Sequence, residues 1–195
     1  MRIPNLIFIF FLLASLFSPL AQASDACNIQ PFVTPPRDAE ILRSGLVGQW
    51  HTDFEQRLIS IRDLDQHRLQ YYSLEKKPAQ SKELIIFLHG FPEFSWAWEK
   101  ELEYFGQKMH AVALDLKGHH YSSAPDEVTE YDFVKLAWEL RQIIHCLGYQ
   151  NATLVGHDFG GGLAWATAML YPDAVNALVV LNAPHIYLLG RAFLT

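Results

Sequence analysis

The 195-residue sequence contains no internal repeat, no excess of positive charge and few charged residues of either sign. Lys and Arg number 15 against 21 Asp and Glu, a formal net charge of −6, so a polyphosphate partner meets no general electrostatic attraction and nucleic-acid binding is disfavoured. Charged residues make up 18% of the chain and hydrophobic ones 50%, which excludes a disordered or fibrous chain and fits one globular core. Short histidine pairs of the His-x-x-x-His kind are also missing. His89 and His157, which flank two glycine-containing turns, are therefore read as turn-packing residues rather than ligands, and no metal or other cofactor is expected.

The N-terminal stretch has to be set aside before any fold reasoning. Arg2 precedes the apolar run Leu6-Ile7-Phe8-Ile9-Phe10-Phe11-Leu12-Leu13-Ala14, which continues less regularly to Ala21-Gln22-Ala23. This is a signal-peptide pattern: the apolar core is shorter than the roughly 20 residues that span a bilayer, and Ala21 and Ala23 are small enough for a signal peptidase. Residues 1–23 are expected to be cleaved after Ala23, giving an exported chain, periplasmic or secreted, with no stable membrane span. Loss of the single charge of Arg2 takes the net charge from −6 to −7. An uncleaved anchor is the competing reading, because Arg2 is the only basic residue ahead of the run. Lipid modification of Cys27 is disfavoured by Ser24 and Asp25.

In an oxidising compartment Cys27 and Cys146 could pair. The sequence argues against it, since Cys146 falls in a helical stretch, Cys27 falls in a loose arm, and bridging needs Cα atoms within about 7 Å. Asn151-Ala152-Thr153 fits the glycosylation sequon but leads straight into an apolar strand, so it matters only in a host that glycosylates.

Residues 24–50 are read as an N-terminal arm, because Phe32 to Trp50 mixes Pro35, Pro36 and polar residues without a sustained period. Residues 51–195 are read as the core domain. Arg57 to Arg62 and His67 to Leu74 alternate apolar and polar side chains across Asp63-Leu64-Asp65-Gln66, which predicts an antiparallel hairpin. Leu84–Leu88, Ala111–Leu114, Ala152–Val155 and Ala177–Leu181 are continuous apolar runs, as central parallel strands covered on both faces require. Between them, Phe133, Leu136, Ala137, Leu140, Ile143, Ile144 and Leu147 share one helical face, with Thr129 and Asp132 as the expected cap and Gly148 as the stop. Further helices are predicted over Trp96 to Gln107 and Gly160 to Tyr171. Alternating strand and helix predict a doubly wound, mostly parallel α/β sheet.

The chemistry centres on Leu154-Val155-Gly156-His157-Asp158-Phe159-Gly160-Gly161, where an acid stands among glycines at a strand-to-helix turn. A nucleophile on so sharp a turn needs small neighbours to be projected, and the helix N-terminus behind it favours an anion. Asp158 is the candidate nucleophile; the plainer alternative is an ordinary helix N-cap. A second motif, His89-Gly90-Phe91-Pro92-Glu93, follows the first apolar strand and can aim the Phe91 N–H at the same point, with the Phe159 N–H as the second oxyanion donor. His185, just past the last apolar run, is read as a turn residue rather than a base, which would have to reach its proton within about 3 Å. Trp96, Trp98 and Trp165 are read as core rather than pocket lining.

The two motifs together resemble the epoxide hydrolases of the α/β-hydrolase superfamily, over about Leu84 to His185. Asp115-Leu116-Lys117-Gly118 is similar to the family's Asp-x-Arg-Gly segment, and Leu181-Asn182-Ala183-Pro184-His185 to its exit from the strand after the nucleophile helix. His119 and His120 depart from the aromatic and the glycine usual there, and nothing in the sequence explains it. The resemblance implies that Asp158 attacks an epoxide carbon of a small apolar substrate, that lid tyrosines protonate the ring oxygen, and that a histidine oriented by a second acid activates water. Haloalkane and haloacetate dehalogenases share the aspartate but favour Trp or Arg after it; Phe159 fits neither, though many epoxide hydrolases also carry Trp there. Esterases use Ser at the elbow.

The family's lid, second acid and catalytic histidine would follow Thr195, so the resemblance implies a core truncated before the lid and the last strands. Little turnover and an exposed apolar sheet edge are expected of such a chain. A non-catalytic truncated product, or a pseudoenzyme that binds apolar ligands, is the alternative to an enzyme, and the oligomeric state is open.

Overall fold

The computed structural model of the chain describes residues 27–35 and 53–185. The expected signal segment, its cleavage point, most of the arm and residues 186–195 lie outside them.

Seven strands, β1 (Cys27–Pro31), β2 (Glu55–Arg62), β3 (Arg68–Lys76), β4 (Leu84–Leu88), β5 (His110–Leu114), β6 (Ala152–His157) and β7 (Val175–Leu181), form one sheet in the order β1-β2-β3-β5-β4-β6-β7. Among the described residues three helices accompany it: α1 (Glu99–Phe105), α2 (Phe133–Cys146) and α3 (Phe159–Leu170). β5, β4, β6 and β7 run parallel, while β1, β2 and β3 alternate and β3 joins β5 antiparallel. Five of the seven strands thus point the same way, the mostly parallel mixed sheet of an α/β-hydrolase fold.

The apolar runs explain the layering. Every residue of β4 and β5 is buried. Side chains alternate between faces along a strand. Leu84, Ile86, Leu88, Val112 and Leu114 accordingly meet α2 and α3 on one face. Ile85, Phe87, Ala111 and Ala113 meet Trp98 and Leu102 on the other. Covering both faces with helices is what doubly wound means physically. It also gathers the ends of β4, β5 and β6 at one edge, where the loops that follow them converge.

Several expectations are corrected. β1 belongs to the sheet, so the arm is not loose along its whole length: Cys27 pairs with Ile61 of β2. Directly opposed residues share a face, and Ile61 faces the α2 side. Cys27 is thereby brought beside Cys146 with Cα atoms 5.6 Å apart, and the two form a disulfide. The helix expected from Trp96 begins as a 3₁₀ turn over Ser95–Trp98 before α1. α2 is capped by Asp132 alone, whose Oδ1 accepts from Val134 N at 2.7 Å; Thr129 lies in a preceding 3₁₀ turn. β7 is outermost among the described residues rather than central, and its Val179 and Leu181 are exposed.

Candidate active site

Asp158 joins β6 to α3 with φ 51° and ψ −116°, a left-handed backbone that a non-glycine residue adopts only when its surroundings impose it. Asp158 N donates to Leu181 O at 3.0 Å, and Gly162 N donates to Asp158 O at 3.0 Å. The glycines let strand and helix meet. A Cβ on Gly156 would lie 2.3 Å from Gly160 O, one on Gly160 2.2 Å from Leu88 O, and one on Gly161 2.6 Å from the Ala183 Cβ.

The Asp158 side chain does not cap α3 in the ordinary way, which would turn it toward the second or third residue of the helix. It is exposed and takes the N–H of Phe159 and, at 3.2 Å on Oδ1, the N–H of Phe91. These two donors, Phe159 first, hold the carboxyl below the usual carboxylate range, and the His157 charge acts in the same direction. An exposed, ionised carboxylate can act as a nucleophile. The same two N–H groups would meet the oxyanion of an acyl intermediate built on Asp158.

Phe91 is placed by the loop after β4, which passes through Pro92. His89 is fully buried; its Nδ1–H donates to Gly90 O at 2.8 Å and its Nε2 accepts from Leu116 N at 2.9 Å. Burial holds it below the ordinary imidazole range, so it is a neutral tie between the loops after β4 and β5 rather than a ligand or base. Gly90 packs against the elbow itself, where a Cβ would lie 2.7 Å from the Asp158 Cβ. His157 ends β6 with Nδ1 3.1 Å from Glu93 Oε2.

Sequence reasoning missed the polar frame behind these loops. Buried Asp115 accepts from Ser95 N at 2.6 Å and pairs with His120 Nδ1 at 2.6 Å, which gives His120 the partner its sequence position did not reveal. His119 packs its ring against those of His89 and Phe91. Lys117, buried, donates to Glu139 Oε1 at 2.6 Å, and Tyr71 OH donates to the other oxygen of Glu139. The only forward signal was proximity: Glu93, Asp115, Lys117, His119 and His120 all stand inside or beside the recognised motifs.

Phe91, Phe159, Leu163, Phe133, Leu136 and His119 help line a cavity of about 520 Å³; Asp158 is not part of its wall, but Phe91 and Phe159, the donors to its carboxylate, are. Trp96, Trp98 and Trp165 are elsewhere: Trp98 packs on Phe87, Trp96 on Phe54, and Trp165 against His185. Asp63, Asp65 and His67 bring possible ligand atoms within 4.8 Å of one another at the β2–β3 turn, but His67 pairs with Asp63 and Lys135 with Asp65.

Comparison with known proteins agrees with this geometry. A family profile described as alpha/beta hydrolase fold matches residues 83–193. Epoxide hydrolase 4 of Mus musculus is 41% identical over 106 residues, 54% of this chain and 30% of the relative. Epoxide hydrolase 1 of Caenorhabditis elegans is 35% identical over 131 residues, 67% of this chain and 31% of the relative. The chain therefore spans about a third of the length of the curated relatives it matches. A crystal structure of Bacillus megaterium epoxide hydrolase with an inhibitor superposes with TM-score 0.61 and 38% identity, covering 65% of this chain and 44% of that one. A Vigna radiata epoxide hydrolase does so with TM-score 0.60 and 27% identity, covering 68% and 41%. The chain belongs to the α/β-hydrolase fold family and is epoxide hydrolase-like within it.

Proposed function

We propose that Asp158 is the nucleophile of epoxide opening on a small apolar substrate. The observation that carries this reading is the exposed Asp158 carboxylate at a left-handed elbow, held on one oxygen by the Phe91 N–H. One oxygen of the carboxylate forms a bond to an epoxide carbon, the ring C–O bond breaks, and the ring oxygen takes a proton to become a hydroxyl. The product is an alkyl ester of Asp158. Water attack on the ester carbonyl would place an oxyanion where Phe91 and Phe159 donate, and collapse would release the diol and restore the carboxylate. That second step needs a base; an acid speeds the first, in which water can also supply the proton. The resemblance assigns these to a histidine with its second acid and to lid tyrosines.

The cavity supports an apolar substrate, since most of its lining is Phe and Leu. The Cys27–Cys146 disulfide supports export, because such bonds persist in oxidising compartments.

Intact-mass spectrometry with and without styrene oxide, comparing wild type with Asp158→Asn, tests the proposal. A gain of one substrate mass, lost in the variant, is expected. No adduct on folded wild-type protein would overturn it and favour non-catalytic binding of apolar molecules in the cavity.

A further inference from the structure

We infer that Glu93 is a positioning residue for Asp158: its carboxylate staples the loop after β4 to the end of β6 and so sets the Phe91 N–H on the Asp158 carboxylate. The inference rests on Asp158 as the nucleophile.

Glu93 Oε2 accepts from Gly90 N at 3.0 Å and lies 3.1 Å from His157 Nδ1. The Glu93 N–H in turn donates to Gly90 O at 2.9 Å, which closes residues 90–93 into a tight turn. The Gly90 N–H holds the Glu93 carboxyl below the usual carboxylate range, with His157 adding to the effect. An ionised carboxylate only accepts hydrogen bonds, so His157 carries its hydrogen on Nδ1.

The two residues joined by this oxygen each precede a member of the reacting pair. Gly90 is followed by Phe91, the donor, and His157 by Asp158, the acceptor, at a donor distance of 3.2 Å. The clearance is small, because a Cβ on Gly90 would lie 3.0 Å from His157 Nδ1 as well as 2.7 Å from the Asp158 Cβ. Cutting the staple frees both loops to relax, lengthening the Phe91 bond first. Both side chains are about a third exposed, at 33% for His157 and 38% for Glu93, so an ion pair there contributes little to folding. Its effect falls on geometry.

The test uses the full chain with Glu93→Ala, Glu93→Met and Glu93→Gln, and two readouts. One is the titration of the Asp158 carboxyl followed by ¹³C NMR, its resonance assigned with Asp158→Asn. The other is the rate of mass-adduct formation with styrene oxide. In Glu93→Ala the Asp158 titration is expected to move up toward the ordinary carboxylate value. The adduct rate is expected to fall by about ten- to a hundredfold, the scale of a small misplacement of reacting groups. Glu93→Gln keeps an acceptor for Gly90 and should restore part of both. Glu93→Met keeps the stem without an acceptor and replaces the alanine variant if that one does not fold. Wild-type titration and rate in a folded Ala or Met variant would overturn the staple. A shifted titration with no adduct even on wild type would leave the staple standing and overturn the nucleophile.

Discussion

Cys27, the first residue of β1, is bonded to Cys146, the last residue of α2, across a sequence separation of 119. The bond holds a five-residue edge strand on β2 that has few apolar contacts of its own. It also closes a long loop, which restricts the unfolded chain most. Cys27→Ser with Cys146→Ser, or reduction of wild type, is expected to lower unfolding stability by about 2–5 kcal/mol, read from urea denaturation. Neither sulfur belongs to the loops around Asp158, so the styrene oxide adduct should persist in the folded fraction.

Gly90→Ala and Gly160→Ala should fail in different ways. A Cβ at position 90 meets Asp158 and His157 side-chain atoms, so the loop after β4 can swing outward. The variant is expected to fold while losing the Phe91 contact and most adduct formation. At position 160 the Cβ would sit 2.2 Å from the backbone oxygen of Leu88, the last residue of β4. With no side chain there to yield, the cost is expected to be about 3 kcal/mol or more. Circular dichroism melts beside adduct mass separate the two outcomes.

These contrasts mark what could be read from the sequence. β4, β5 and β6 were legible because burial on both faces demands unbroken apolar runs, and the elbow because glycines must surround a projected side chain. β1 was not, since five residues ending in Pro31 carry no periodic signal and gain their place from pairing with β2. The same holds for polar partners brought together by topology. Glu93 and His157 are 64 residues apart, and Glu139 reads locally as one polar position in an amphipathic helix. His120 was visible as a departure from a pattern, yet only the fold supplies Asp115 as its reason.

Acid should act on the fold in two stages. Burial first holds His89 below its unfolded value, so the neutral form is favoured in the folded state. The stability tied to it is present above about pH 6.5 and is lost as pH falls through the lower folded value. Asp158 and Glu93 are depressed carboxylates, so their contribution is present above about pH 4 and is lost only below that. Urea midpoints are expected to decline between pH 7 and 5.5. In His89→Asn the protein should be weaker at pH 7.5 but show a shallower decline over the same interval; an unchanged slope would contradict the assignment.

Lys117 and Glu139 form a buried pair whose value lies in its completeness. The Lys117 ammonium has no solvent exposure and is held by Glu139 at 2.6 Å and by the Glu130 carbonyl at 2.9 Å, while Tyr71 donates to Glu139 from β3. Burial pushes the Glu139 carboxyl up, and Lys117 and Tyr71 oppose that shift. Glu139→Leu alone would leave the buried cation only Glu130, whose carboxylate stands 4.0 Å away, and would orphan the Tyr71 hydroxyl; it is expected to cost about 3 kcal/mol. Lys117→Met alone should leave Glu139 to take up a proton instead, a smaller loss that shrinks further at low pH. Replacing Lys117, Glu139 and Tyr71 together by Met, Leu and Phe removes every buried polar group of the set. That triple variant should be more stable than Glu139→Leu, because the penalty comes from the unpaired charge and not from the missing ion pair. Lys117 also stands in the Leu116-Lys117-Gly118-His119 segment of the cavity wall, which Tyr71 lines as well, so the triple variant is expected to fold well and yet alter the adduct rate. Unfolding curves for the three variants, measured with the adduct rate at pH 7, decide whether this pair serves folding or the shape of the site.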